Sequence, residues 1–134
     1  MEAPCRQFLS ASASKLGLDL KEVHLDRLCR YEEAVRQWNR RMNLVSARDE
    51  GVLAERHLLD SLTLAPLLTG DTGRLFDLGS GAGFPGIPLK IVKDSWEVIL
   101  VEASRKRVSF LKEAIRILQL QGVTVVWGRV EDLL

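Results

Sequence analysis

The chain is poor in cysteine: Cys5 and Cys29 are its two, far apart and in neither CxxC nor Cys/His spacing. That scarcity speaks against a disulfide framework and against a zinc site, so both are read as reduced, partly buried thiols and no metal is expected. Long apolar runs are lacking too. No stretch approaches the roughly 18 consecutive apolar residues of a membrane span, and the start, MEAPCRQF, has no signal-peptide core. A soluble cytoplasmic protein with no membrane partner is expected. An excess of one charge is also missing, because 19 Lys and Arg face 18 Asp and Glu for a formal net charge of +1. This excludes a strongly polybasic binder and leaves room for a local basic patch. What is present is 46% hydrophobic residues, enough to bury one core.

Two periodicities meet near Gly70. Before it, Val23, Leu28, Tyr31, Val35, Trp38 and Met42 recur at helical spacing, and Leu58, Leu59, Leu62 and Leu64 begin a second stripe. Residues 1–70 are therefore expected to form a helical region. After the turn signal Thr69-Gly70-Asp71-Thr72-Gly73 come short apolar runs, giving residues 71–134 a different character. Strands are predicted at Arg74 to Leu78, Glu97 to Val101 and Val123 to Trp127. A short helix is predicted at Ile87 to Val92 and an amphipathic one at Arg105 to Gln119, with Val108, Leu111, Ile115 and Leu118 on one face. This is a βαβαβ unit of α/β class. The right-handed crossover rule makes its sheet parallel, in the order 3-2-1.

Directly after the first strand runs Asp77-Leu78-Gly79-Ser80-Gly81-Ala82-Gly83-Phe84-Pro85-Gly86. Glycines allow a sharp turn and let backbone approach a ligand, and the carboxyl ends of parallel strands are where ligands bind. Two cofactor classes compete for this loop. Gly81 to Gly86 matches GxGxxG, and Glu102 ends the next strand where a ribose-binding acid belongs, as in a dinucleotide-dependent oxidoreductase. Asp77 argues otherwise: a carboxylate there repels a pyrophosphate and suits a ligand bearing an ammonium and a sulfonium, as S-adenosylmethionine does. Pro85 and Pro88 also delay the helix that would face a pyrophosphate. For both acids a plainer reading stands beside the functional one. Asp77 also reads as a loop-bracing carboxylate, and Glu102 as a partner of Arg105 or Lys106.

The run His57-Leu58-Leu59-Asp60-Ser61-Leu62, then DLGSGAGFPGIPLKI, VEASRKRVSFLKE and GRVEDL, resembles the bacterial small-subunit rRNA guanine-N7 methyltransferase G family, also called glucose-inhibited division protein B. FPGIPL after the glycine loop is the distinguishing part, and Val130 stands where the family's GRAE has Ala. The resemblance runs from about Trp38 to the last residue. It implies a Rossmann-like class I S-adenosylmethionine-dependent methyltransferase with an N-terminal helical region and the first three strands of a parallel sheet. Its substrate would be N7 of a guanosine in 16S rRNA, with the RNA or the small ribosomal subunit as partner. Carried over by position, cofactor contacts fall on Gly79, Phe84, Glu102, Ala103, Ser104, Val130 and Glu131, to which the loop reading adds Asp77, Gly81 and Gly83. N7 has a free lone pair and loses no proton on attack, so in-line methyl transfer needs alignment more than a base. No catalytic acid or base is assigned, and His57 reads as structural.

Arg27, Arg30, Arg36, Arg40, Arg41 and Arg48 make the helical region locally basic, with Trp38 and Asn39 among them. RNA contacts are placed on Arg36, Arg40 and Arg41 and, as a second patch, on Arg105 and Lys106, with a solvated helix face as the alternative. Family proteins continue beyond the point matching Leu134, so a fragment or truncated product is expected. Such a chain would retain S-adenosylmethionine or RNA binding without turnover, or would self-associate through the free edge of Arg74 to Leu78 and the apolar faces beside it.

Overall fold

The computed structural model describes residues 3–42 and 53–133. Three helices come first: α1 (Ala3–Leu16), α2 (Glu22–Met42) and α3 (Leu53–Leu62). A 3-10 turn at Ala65–Leu67 leads to β1 (Arg74–Leu78), α4 (Gly86–Val92), β2 (Glu97–Glu102), α5 (Arg105–Leu118), β3 (Val123–Trp127) and α6 (Val130–Leu133). The strands form one parallel sheet in which β2 lies between β1 and β3, so the expected α/β, Rossmann-like architecture is present.

Alternation along the strands decides which face is covered. Leu75 and Asp77 of β1 lie in register with Val98 and Leu100 of β2, and those with Val123 and Val125 of β3. This face meets Ile87 and Ile91 of α4 and Phe110, Leu111, Ala114 and Leu118 of α5 in a core that continues into Leu28, Tyr31 and Val35 of α2 and Leu58 and Leu62 of α3. Parallel strands bury both faces when helices cover both. Here the other face carries Phe76 and Leu78, 57% and 56% exposed, and an apolar cleft of about 300 Å³ between Phe76, Ile99, Val101, Val126, Val130 and Leu133.

Several boundaries differ from the sequence reading by a residue, each for a local reason. β2 runs on to Glu102 because that residue still pairs with Trp127. α5 stops at Leu118, where Gln119 turns left-handed at φ 54° and its amide reaches back to Arg116 and Ile115. Its start is capped by Ser104, whose hydroxyl accepts from the Arg107 amide. Val23 and Leu64, expected on the apolar stripes, are exposed. Leu25 takes Val23's place in the core, since the true stripe of α2 runs through Leu25, Leu28, Tyr31 and Val35. Arg6 of α1 binds Glu22 and Asp26 at the start of α2. Cys5 and Cys29 are buried where α1 meets α2, and a hydrogen bond with Cys29 together with burial pushes the Cys5 thiol far up.

Candidate functional site

The turn after β1 is held from several sides. Val101, at the end of β2, accepts the Gly79 and Ser80 amides at 2.8 and 3.0 Å, which fastens the loop across the two strands. Next to it, Glu102 is buried, and its two carboxylate oxygens accept the Gly81 amide at 2.8 Å and the Ser104 amide at 2.7 Å. One carboxylate thus ties the glycine loop to the start of α5. Asp77 points the other way, toward α4, where its Oδ2 accepts the Gly86 amide at 3.0 Å. Burial pushes the Asp77 carboxyl above its ordinary value, with the Gly86 amide and Ser80 pulling it back. The loop-bracing reading of Asp77 is therefore what its contacts express.

Gly83 shows why the loop needs glycine. Its φ is +102°, and a Cβ there would lie 2.7 Å from Cδ1 of Ile87 and 2.8 Å from the Tyr31 hydroxyl. That hydroxyl, on α2, donates to the Ala82 carbonyl, and the Tyr31 ring packs on Phe84 with centroids 5.4 Å apart. His57 of α3 meets the same Phe84 ring at 5.0 Å. Tyr31 is wholly buried, and burial first, then the nearby Asp77, pushes its hydroxyl well above the usual tyrosine range. It stays protonated and can donate.

Beyond the strand ends a cleft of about 420 Å³ opens between Gly79, Val101, Ala103, Gly128, Arg129, Val130 and Glu131. Its volume lies in the range of small-ligand sites. Of the residues singled out in the sequence, Gly79, Ala103, Val130 and Glu131 line it together. Glu102, between the lining residues Val101 and Ala103, joins Gly81 and Ser104 through the two amide–carboxylate bonds. Phe84 sits with Tyr31 and His57, and Asp77 beneath the loop with Gly86. Gly128 donates its amide to the Glu102 carbonyl at 3.0 Å, so the third strand's exit is fixed to the second's. The exposed Trp127 donates from Nε1 to the Ala103 carbonyl at 3.0 Å and lies under the Arg105 guanidinium, 5.0 Å from its ring centroid.

The family model described as rRNA small subunit methyltransferase G matches residues 24–134. The chain belongs to this family. A ribosomal RNA small subunit methyltransferase G of Syntrophus aciditrophicus is 47% identical over 131 residues, covering 97% of this chain and 54% of that protein. Its counterpart in Dictyoglomus thermophilum is 37% identical over 134 residues, 99% of this chain and 56% of the relative. That of Roseiflexus castenholzii is 47% identical over 120 residues, 89% and 51% respectively. The chain spans about half the length of these methyltransferase G relatives.

Gly128 and Arg129 belong to this chain's GRVEDL segment, whose likeness to the family's loop did not by itself assign them to the cleft. Tyr31 and Trp127 were missed. Tyr31 carries no local signal, since its partner Ala82 is 51 positions away. Of the basic residues, Arg40 and Arg41 are exposed in the last turn of α2, and Arg36 holds its Nε 2.6 Å from the buried Glu32. Burial raises the Glu32 carboxyl while Arg36 lowers it. Arg105 and Lys106 are exposed at the start of α5, and Arg48 lies outside the described residues. Among the described residues no three His, Cys, Asp or Glu side chains gather in a way that could hold a metal ion, and no helix is long and apolar enough to cross a membrane.

Proposed function

We propose that this chain is the donor-binding half of an S-adenosylmethionine-dependent methyltransferase that acts on N7 of a guanosine in 16S rRNA. One observation carries the choice of donor. The loop amides that a pyrophosphate would need are already taken: Gly79 and Ser80 by Val101, Gly81 by Glu102, Gly83 by Ser80, and Gly86 by Asp77. A carboxylate sits where α4 begins, so an anion finds repulsion there in place of free donors. The dinucleotide alternative loses its seat.

A ligand with two ribose hydroxyls and a cationic end fits the same groups. The Glu102 carboxylate has about four acceptor positions, of which Gly81 and Ser104 take two. The remainder can accept from ribose hydroxyls. Ala103, Val130 and Glu131 offer backbone groups and one carboxylate along the cleft, and Gly79 leaves its floor without a side chain. Bound there, the donor supplies a methyl group on a sulfonium. The protein's part is to hold that centre in line with the incoming nitrogen and keep the cleft shaped, which asks for no acid or base.

Arg105 and Lys106, exposed beside Ser104, and Arg40 and Arg41 on α2 are the proposed RNA contacts, with the cytoplasm as the compartment of such a substrate. The test of the donor reading is calorimetric titration of the chain with S-adenosylmethionine, its demethylated product and NAD. Binding of the first two and none of NAD is expected. Binding of NAD alone, or a donor response left unchanged by Glu131→Ala and Glu102→Ala together, overturns it. Binding without methyl transfer to 16S rRNA would mark a donor-binding half that needs the remaining length of its relatives for turnover.

A further inference from the structure

We propose that Tyr31 is a positioning residue for the donor loop: its hydroxyl sets the place of the Ala82–Gly83 backbone, and through it the N-terminal helices govern how tightly the donor is held. The proposal rests on the donor-binding reading above. Three side chains pin consecutive parts of the loop, Glu102 at Gly81, Tyr31 at Ala82 and Asp77 at Gly86. Two of them belong to the sheet that carries the loop. Tyr31 alone of the three comes from outside the β1–β3 unit, on a helix that precedes it in the chain.

The contact is built, and it is more than a buried hydroxyl finding a carbonyl. The hydroxyl also occupies the space a side chain at position 83 would need, so the left-handed Gly83 and Tyr31 fit one another. The Tyr31 ring and the His57 ring both rest on Phe84, which makes the far end of the loop part of the same packing. A hydroxyl that stays protonated donates to Ala82 throughout the ordinary pH range. Ala82 lies between Gly81, pinned by Glu102, and Gly83, whose amide closes on Ser80 at 2.8 Å. A shift at Ala82 is thereby transmitted to both neighbours. A merely structural tyrosine would contribute stability and leave donor affinity unchanged.

The experiment compares the wild-type chain with Tyr31→Phe, which keeps the ring on Phe84 and removes the hydroxyl. Affinity for S-adenosylhomocysteine is titrated at a temperature where both proteins are fully folded, and amide exchange is followed without ligand. Expected are an affinity about fivefold weaker, the worth of one neutral hydrogen bond, and faster exchange across Gly81 to Gly86 with Val98 and Leu100 unchanged. Equal affinity with equal loop exchange overturns the proposal. If the wild type itself fails to bind, the donor reading fails, while loop exchange in Tyr31→Phe still decides whether the hydroxyl holds the backbone. Should Tyr31→Phe not fold, the wild-type Tyr31 side-chain resonances decide: a shift on saturation with S-adenosylhomocysteine supports the role, and none refutes it.

Discussion

Replacing Glu102 by alanine tests the loop at its central tie. The carboxylate is 6% exposed and receives two amides, Gly81 at 2.8 Å and Ser104 at 2.7 Å. A hydrogen bond to a charged group contributes about 1.5–3 kcal/mol. Two bonds to one carboxylate do not add in full, and releasing a buried charge returns some desolvation cost, so a loss of about 3 kcal/mol is expected. For a domain of this size that lowers Tm by roughly 10 °C. Glu97 at the other end of β2 is the internal control. Its pair with Arg74, at 3.4 Å, has both partners about half exposed or more, and Glu97→Ala should cost under about 1 kcal/mol. Calorimetric melting of both variants, with donor titration of Glu102→Ala well below its Tm, separates the two roles. The titration should show affinity lower by about 1–3 kcal/mol. If Glu102→Ala melts within about 2 °C of Glu97→Ala, the carboxylate does not hold the loop.

Folding raises the Asp77 carboxyl above 3.8, so the folded state takes up its proton more readily than the unfolded chain. Its stabilising contribution is complete below that value and is lost as pH rises through the raised one. Asp77→Asn, which keeps an acceptor for Gly86, should flatten the Tm profile between acidic and neutral pH; an unaltered profile would refute the burial cost. Gly83→Ala should lose about 1–3 kcal/mol in chemical denaturation, from its positive φ and from contact with Ile87 and Tyr31, and a neutral result would mean the loop is free to shift. The thiols of Cys5 and Cys29, both buried, should react with an aromatic disulfide reagent only after unfolding, and rapid labelling of the native chain would contradict the helix packing. Phe76, Leu78 and Leu133 present an open apolar face beside β1, and light scattering should register concentration-dependent association burying more than about 1,000 Å². A monomer throughout would count against that face as an interface.

The strands were legible because alternation and β-branching are local: Arg74–Leu78 and Val123–Trp127 carry the bounds the sequence suggests. The glycine loop was legible because it must follow a strand and turn at once. Asp77 was visible as an acid in the right place, but its partner was not. Gly86 comes within reach only when the sheet has set β1 beneath α4. Tyr31 is harder still, since a tyrosine on a helical stripe reads as core, and its hydroxyl finds Ala82 only after two distant elements pack. Glu32 and Asn39 are buried on the same helix, which no apolar periodicity can announce. Val23 misled because the buried stripe of α2 begins at Leu25 and runs through Leu28, Tyr31 and Val35.

A loop whose amides are engaged by its own chain behaves as a rigid die. Little backbone remains to be frozen on association, so the entropy usually lost in ordering a binding segment is already spent in folding. Donor uptake should accordingly follow single-step kinetics, without the slow phase of a segment that must first assemble. The same rigidity narrows the range of guests. A flexible glycine turn can wrap around several cofactor shapes, whereas one cross-linked at Gly81, Ala82 and Gly86 accepts those cut to its outline.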